Sequence, residues 1–388
     1  MKHLFDINVI LRPSDVPPSG LGHRVVGVLN PAAAIVNGET RLLVRVIEGY
    51  ERNAAYDNYF TRGTPLPRYV YLPRARGGHV EWEEKRLDSE VKPNDRYSVS
   101  LPGLVEVVRP TVISHARLAV IRRQDNSGPP TVQPVGSQGF FPETGYEEFG
   151  IEDPRITQWD SPLRLDNAEF NFVVSYVACS GLSGIATALA VSNDLESFRR
   201  LPLSSPGITF HPPQKDVILF PERIRSPRTG EKHYGALIRP GAAHRYISPS
   251  IFLMTSPDLI HWGNPLPIVT GTSKDHVGGG VPPIKTKHGW LIIYHGRTCR
   301  AGLAQYEGWA ALLDHDEPWR TIRRSPHPIL RPQKTGDDDV ISNVAFPTGA
   351  VLLNDGTLEI YLGLNDTVTA VARAPLEAIL SEVMAQAR

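Results

Sequence analysis

The residues of this 388-residue chain best placed to do chemistry are Gly150-Ile151-Glu152-Asp153-Pro154-Arg155-Ile156-Thr157. Two adjacent carboxylates lie between a glycine and a proline, and a guanidinium follows. Pro154 carries no N–H and steers Asp153 away from helical backbone. The spacing therefore predicts Asp153 on a turn at a strand edge, with the strand starting at Ile156-Thr157. A carboxylate on a stiff turn beside an arginine suits positioned acid chemistry. An Asp-Pro turn carrying a surface ion pair fits the octapeptide equally well.

The elements around it read as strands. Ala32–Val36 and Arg41–Ile47 flank Asn37-Gly38, a two-residue hairpin signal. His115–Ile121 follows, and after the octapeptide come Phe170–Ala178, Ile185–Ser192, Asp216–Phe220, His233–Ile238, Ser250–Thr255, Trp290–His295, Trp309–Leu313, Ala345–Leu353, Leu358–Leu362 and Val368–Arg373. Residues 51–110 read as an irregular insertion lying over one face. Asp125–Pro134 reads as a polar loop. Helical spacing occurs in the tail, where Leu376, Ile379, Leu380 and Val383 share a face, giving a C-terminal helix over 374–388.

Internal repetition suggests how the strands group. Ser192-Asn193-Asp194-Leu195-Glu196-Ser197-Phe198 returns 64 residues on as Ser256-Pro257-Asp258-Leu259-Ile260-His261-Trp262, and Gly289–Gly296 returns 67 residues on as Gly356–Gly363. Units of this length, with about four short strands each, predict an all-β, five-bladed β-propeller forming a single catalytic domain over 1–388. A site at the channel of such a fold takes one or two residues from each blade. The candidates are scattered in that way: Asn30 and Arg45; Glu152, Asp153 and Arg155; Lys215, Asp216 and Glu222; Arg239; the Gly278–Pro283 run; Tyr294 and His295; Asp366.

Each candidate has a plainer reading. Lys215-Asp216 fits an exposed ion pair, and His295 fits a hydrogen-bonded residue at a strand end. The glycine run lacks the strand-to-helix setting and the lysine-serine ending of a phosphate loop, so it reads as close backbone approach. His211, His244 and His261 show no zinc-ligand spacing, and nothing in the chain calls for a metal.

Composition excludes several classes. Forty-one basic residues balance 41 acidic ones, which implies neither nucleic acid nor an anionic membrane as partner. Thirty-five prolines and 33 glycines suit many turns. Two cysteines make no disulfide framework. No run approaches the roughly 18 apolar residues of a membrane span, and Met1–Pro18 holds no signal-like apolar stretch. A cytoplasmic protein is expected.

The octapeptide resembles the signature of glycoside hydrolase family 130, the β-mannoside phosphorylases and β-mannosidases. Further segments are similar to that family in the same order: Lys215–Glu222, Ser256–Gly263, Gly278–Thr286 running into Gly289–Gly296, Pro328-Ile329-Leu330, Asn343–Gly349 and Tyr361–Val368. The resemblance implies a five-bladed propeller with a mannose-binding subsite in its channel. It implies that Asp153 is the catalytic acid, passing its proton through a sugar hydroxyl in the phosphorylases. By the same resemblance Asn30, Arg45 and Asp366 hold the terminal mannose, while Lys215, Tyr294, His295 and Arg200 bind phosphate. Glu152, Arg155, Asp216 and Glu222 complete the expected substrate-binding set. The expected partners are a β-mannoside oligosaccharide and inorganic phosphate as co-substrate, with no other cofactor and a homo-oligomer as the assembly.

One departure bears on the reaction. Where phosphorylases of this family usually present an arginine-asparagine pair that grips phosphate, this chain has Cys179-Ser180, one bidentate contact fewer. An inverting hydrolase needs an acid and a base roughly 6.5–9.5 Å apart, and Glu222, Asp216, Glu143, Glu147 and Glu148 are the candidate bases. A phosphorylase needs one acid and clustered cations to hold a dianion. Lys215, His295 and Arg200, with Arg239, Arg297 and Arg300 nearby in sequence, favour phosphorolysis to α-mannose 1-phosphate. Hydrolysis of β-mannosides is the alternative, and a non-catalytic sugar-binding propeller is the third reading. The 51–110 insertion is the expected contributor to the acceptor side.

Overall fold

The computed structural model describes residues 4–103, 107–123, 129–241, 248–271, 276–300, 303–336 and 340–385, the side chain of Arg300 excepted. His244, Arg300 as a candidate cation, residues 125–128 of the polar loop and the last three residues of the tail helix therefore lie outside the described residues. The chain is mostly β. Its α-helices are Ala54–Arg62 and Leu376–Met384, and no helix among the described residues is long and apolar enough to cross a membrane.

The strands fall into five groups of neighbours in sequence. His23–Val36 and Glu39–Tyr50 form the expected hairpin, with Asn37 at φ 51° and Gly38 at φ 81°. Positive φ at both loop residues is what a tight, right-twisted hairpin turn requires, and Asn-Gly supplies it at least cost. Val112–Arg122 pairs with the second strand. The next group is Gly150–Leu165, Ala168–Ser180 and Gly184–Ser192, edged by Arg199–Arg200. It joins the first group through a single parallel pairing, Gly150 with Ser114. Lys215–Leu219, Lys232–Arg239, Ser250–Ser256 and Gly263–Thr270 make the third, and His276–Thr286, Gly289–Arg300, Leu303–Leu313 and Thr321–Arg324 the fourth.

The fifth group starts with Ala345–Leu352, Thr357–Leu364 and Val368–Pro375. Its outer strand is Asp6–Leu11 from the other end of the chain. No sheet closes on itself among the described residues. Apolar clusters instead fill the spaces between groups: Leu43 and Leu118 meet Val174 and Ala188, Val173 and Leu189 meet Leu219 and Tyr234, Ile218 and Leu253 meet Trp290 and Ile292, Leu291 and Ala310 meet Leu358 and Ile360, and Tyr361 and Val371 meet Val28 and Leu42. Each group thus buries both faces against neighbours, and the last packs on the first. Their first strands also pack on one another in that order.

The repeated sequence segments are equivalent turns. In one, Asp194 Oδ1 accepts from the N–H groups of Glu196 and Ser197; in the other, Asp258 Oδ1 accepts from those of Ile260 and His261. Leu195 and Leu259 follow at φ 62° and 67° and are buried. The aspartate satisfies backbone donors while the leucine anchors the turn to the core.

Two expectations need correcting, and one strand was not anticipated. The described residues of 51–110 form regular elements rather than an irregular segment: the first helix, a hairpin Tyr69–Arg76/His79–Arg86 and three short strands enclose a small core of Tyr56, Val70, Leu72, Leu87 and Val99. Because that core is local, it leaves no long-range repeat in the sequence. The octapeptide strand begins at Gly150, not at Ile156. The strand formed by Asp6–Leu11 has no signal strong enough to locate it in sequence.

Candidate active site

The site is built from register breaks in the first strand of successive groups. Pairing slips between Leu29 and Ala32, between Glu152 and Arg155, and between Lys215 and Ile218. At these bulges Asn30, Asp153 and Asp216 adopt φ of 47°, 47° and 55°, and Asp366, just past Thr357–Leu364, adopts 48°. Left-handed backbone is costly for L-residues except glycine, asparagine and aspartate. A bulge also tolerates a proline, which has no donor to leave unpaired, and Pro31 and Pro154 follow two of the four. Asp153 is therefore not on a strand-edge turn. It lies inside a long strand, turned inward by a bulge, and is 7% exposed.

These residues meet in a cavity of about 180 Å³ lined by Asn30, Arg45, Glu152, Asp153, Lys215, Asp216, Arg239, His295, Tyr306, Ile341, Val344, Phe346 and Asp366. Asp153 Oδ1 accepts from Asn30 Nδ2 at 2.8 Å and from Arg45 Nη1 at 2.9 Å. Arg45 Nη2 reaches Glu152 at 2.6 Å, and Arg45 Nε donates to Ser114 Oγ at 3.1 Å. Arg155 lies beneath, donating to the Asp153 carbonyl at 2.6 Å and to Asp216 Oδ1 at 3.4 Å. Asp216 also takes Arg239 Nε at 2.5 Å and has His295 Nε2 at 3.3 Å.

The charges are unequal in their compensation. Burial raises the proton affinity of Asp153, but Arg45, Arg155 and the Asn30 amide outweigh it and hold the carboxyl below its ordinary value. Burial likewise opposes ionisation of Asp216, yet Arg239, His295 and Arg155 hold it well below. Asp366 has less help: burial, joined by the charges of Asp153 and Glu152, outweighs Arg45 and Lys215 and pushes it to about 6. Lys215 has no acidic partner among the described residues; Nδ1 of the buried His295 has no hydrogen-bond partner there, and its Nε2 has Asp216 at 3.3 Å.

Asp216, His276 and His295 offer atoms within 4.8 Å of one another, enough in principle to hold a metal ion. Arg155 and Arg239 already neutralise Asp216, and Lys215 stands by. A cation would meet three positive charges there, whereas an anion would be welcomed.

Of the residues expected at the site, Asn30, Arg45, Glu152, Asp153, Lys215, Asp216, His295 and Asp366 line the cavity, with Arg155 directly behind it. Three others are elsewhere. Tyr294 faces away because side chains alternate along its strand: His295 points to the cavity, and the Tyr294 ring is buried in the core with its hydroxyl accepting from Arg324. Arg200 is held by Glu143, Glu147 and the Phe141 carbonyl. Glu222 pairs with Lys285 at 2.8 Å and lines a different cavity.

Cavity residues absent from the expected set are Tyr306, Ile341, Val344 and Phe346; Arg239, a channel candidate given no role by the resemblance, also lines it. Val344 and Phe346 lie within the family-like segment Asn343–Gly349 without having been singled out, whereas Tyr306 and Ile341 come from outside the recognised segments and are assembled only by the fold. The glycine run behaves as expected. A Cβ on Gly278 would lie 2.5 Å from Asp216 Oδ2, and one on Gly279 would lie 2.6 Å from the Asp216 carbonyl. The thiol of Cys179 is raised by burial and then by Glu152, with Arg45, Lys215 and Asp153 also close enough to act on it.

Comparison with known proteins follows this geometry. Residues 133–385 match the glycoside hydrolase family 130 model, described as β-1,4-mannooligosaccharide phosphorylase. The chain is 32% identical to the β-1,2-mannobiose phosphorylase of Listeria innocua, over 99% of each sequence. It is 34% identical to the 1,2-β-oligomannan phosphorylase of a Thermoanaerobacter strain, over 59% of this chain and 70% of that one. The Listeria innocua enzyme solved with β-1,2-mannobiose superimposes with a TM-score of 0.75 at 29% identity, covering 98% of this chain and 97% of the other. The chain belongs to glycoside hydrolase family 130.

Proposed function

We propose that this protein is an inverting β-mannoside phosphorylase, with β-1,2-linked mannosides as its first substrates, built as one five-bladed propeller domain over 1–388. Five strand groups with five intervening cores support the architecture, and the two similar phosphorylases named for β-1,2 linkages support the substrate. The observation that carries the reaction is the meeting, in one cavity, of Asp153 with a cationic cluster in which Lys215 lacks an anionic partner among the described residues.

In this reading Asn30, Arg45 and Asp366 hold the terminal mannose, and Lys215, Arg239 and His295 receive phosphate. A phosphate oxygen forms a bond to the anomeric carbon as the bond to the leaving sugar oxygen breaks. That oxygen takes a proton originating on Asp153 and relayed through a mannose hydroxyl. The products are α-mannose 1-phosphate and the shortened saccharide. Arg45, Arg155 and Asn30 hold Asp153 ionised, and an entering dianion raises its proton affinity. Phosphate binding and protonation of the acid are thus coupled.

Hydrolysis finds less support. Of the candidate bases, Glu143 and Glu147 are committed to Arg200, Glu148 to Arg74, and Glu222 to Lys285. Asp216 is in the cavity but is locked by two arginines.

Incubation with β-1,2-, β-1,3- and β-1,4-mannobiose, with and without phosphate, tests the reading. We expect phosphate-dependent mannose 1-phosphate, fastest from the β-1,2 isomer. Free mannose at equal rate without phosphate would overturn it in favour of hydrolysis, and absence of turnover in favour of a sugar-binding module.

A further inference from the structure

A second cavity, about 300 Å³, lies between the hairpin of the 51–110 insertion and the first strand group, at the lower edge of the ~300–1,000 Å³ typical of small-ligand sites. Ser19, Tyr50, His79, Trp82, Ser114 and His115 are among its lining residues. It touches the active site through one pair: Ser114, in its wall, accepts from Arg45, which holds Asp153 and Glu152. The cationic cluster of Lys215, Arg239 and His295 belongs to other strand groups than Arg45 and Ser114. An inverting displacement places nucleophile and leaving group on opposite faces of the anomeric carbon.

The two cavities are chemically distinct. The active cavity is lined by four acidic and three basic side chains, and the second by none of Asp, Glu, Lys or Arg. It presents hydroxyls, imidazoles and aromatic rings, which suit an uncharged, hydroxyl-rich ligand and not phosphate. Its far wall is fastened in place. Trp82 Nε1 donates to His23 Nε2 at 2.9 Å, and His23 Nδ1 lies 3.0 Å from the buried Glu48. The Tyr50 and Trp82 rings stack at 4.9 Å, and the Ala75 N–H bonds the Glu148 carbonyl just ahead of Gly150. A rigid wall of this kind costs little to organise when ligand arrives.

We propose that this cavity is an acceptor-chain site: it takes the saccharide on the leaving-group side of the scissile bond, with Trp82 and Tyr50 as the ring-packing surface and His79 as a polar contact. The proposal rests on the phosphorylase reading. The insertion thereby sets chain-length preference, while the strand bulges set the chemistry.

The test uses the full chain and two donors, β-1,2-mannotetraose and β-mannosyl fluoride, the second having no acceptor sugar. For Trp82→Ala and His79→Ala, the ratio of kcat/KM on tetraose to that on fluoride falls about tenfold. Trp82→Phe, which keeps the ring but loses the bond to His23, keeps the ratio within about threefold. A ratio unchanged in both alanine variants overturns the proposal. So does a fall in Trp82→Phe as deep as in Trp82→Ala, which would make the indole a fastener of the hairpin only. Should the wild type act on no β-mannoside, the phosphorylase reading fails by itself. Calorimetric binding of mannotetraose then decides this site, with undiminished affinity in both alanine variants overturning it.

Discussion

Two cavities at opposite ends of the same strands show what makes one of them a site. Gly150–Leu165 contributes Asp153 to one and Trp159–Arg164 to the other; Lys215–Leu219 contributes Lys215 and Asp216 to the first and leads into Pro221–Arg223 at the second. The Glu222 cavity is the larger, about 410 Å³ against 180 Å³. Its charges, the exposed Asp160 apart, are settled locally: Glu222 with Lys285, Arg164 with Glu169, and Arg223 on the Tyr234 hydroxyl and ring. The Asp153 cavity holds charges buried at left-handed bulges, unevenly compensated and open to a ligand. Size does not mark the site; unfinished electrostatics does.

The most severe way to break this contrast is Asp153→Asn. We expect phosphorolysis to fall about 10²–10⁴-fold, the usual worth of a positioned acid, with the fold intact. A variant of ordinary activity would remove Asp153 from the acid's role. Lys215→Ala should raise the KM for phosphate about 10- to 100-fold, the equivalent of one charged hydrogen bond of ~1.5–3 kcal/mol, while leaving the KM for mannoside much less affected. Phosphate kinetics identical to wild type would place the dianion elsewhere.

Asp366 sharpens the comparison through stability. Its carboxyl is raised from 3.8 to about 6 in the folded protein. The folded state therefore binds this proton more tightly than the unfolded chain does. Its stabilising contribution is complete below about pH 4 and disappears as pH climbs through 6. Asp366→Asn should gain on wild type across that window, by up to about 3 kcal/mol, in denaturant unfolding at pH 4 and pH 7. A constant difference between the two pH values would contradict the assignment. The smallest effect is expected from Glu222→Gln: phosphorolysis within about twofold, and stability within about 0.5 kcal/mol, as befits a partly exposed ion pair. A large loss of activity would return the second cavity to the chemistry.

Much of the fold was legible because it is repetitive and local. The Asn37-Gly38 turn, the paired Ser-x-Asp-Leu turns and the thirteen strand-like runs are short-range patterns, and the structure places strands or turns at each. Asp6–Leu11 was illegible because its partner, Val368–Pro375, lies at the far end of the chain. In the insertion, charged residues on the exposed His79–Arg86 strand masked a small core that lies beneath other segments. At the site, Lys215 and His295 were recognisable from motifs. Tyr294 lies off the cavity because neighbouring residues of a strand face opposite sides, and Arg200 because Glu143, Glu147 and the Phe141 carbonyl hold it elsewhere.

By itself the sequence determined the residue types at the bulges, since asparagine and aspartate accept left-handed backbone and glycines admit close approach. It also determined the family to which the chain belongs. Only the tertiary structure decided which charges face one another. Asp153 and Asp216 are low because three strand groups bring arginines to them, and Asp366 is high because burial leaves it beside two other carboxylates. Those shifts follow from distance and desolvation, and neither quantity is written along a chain.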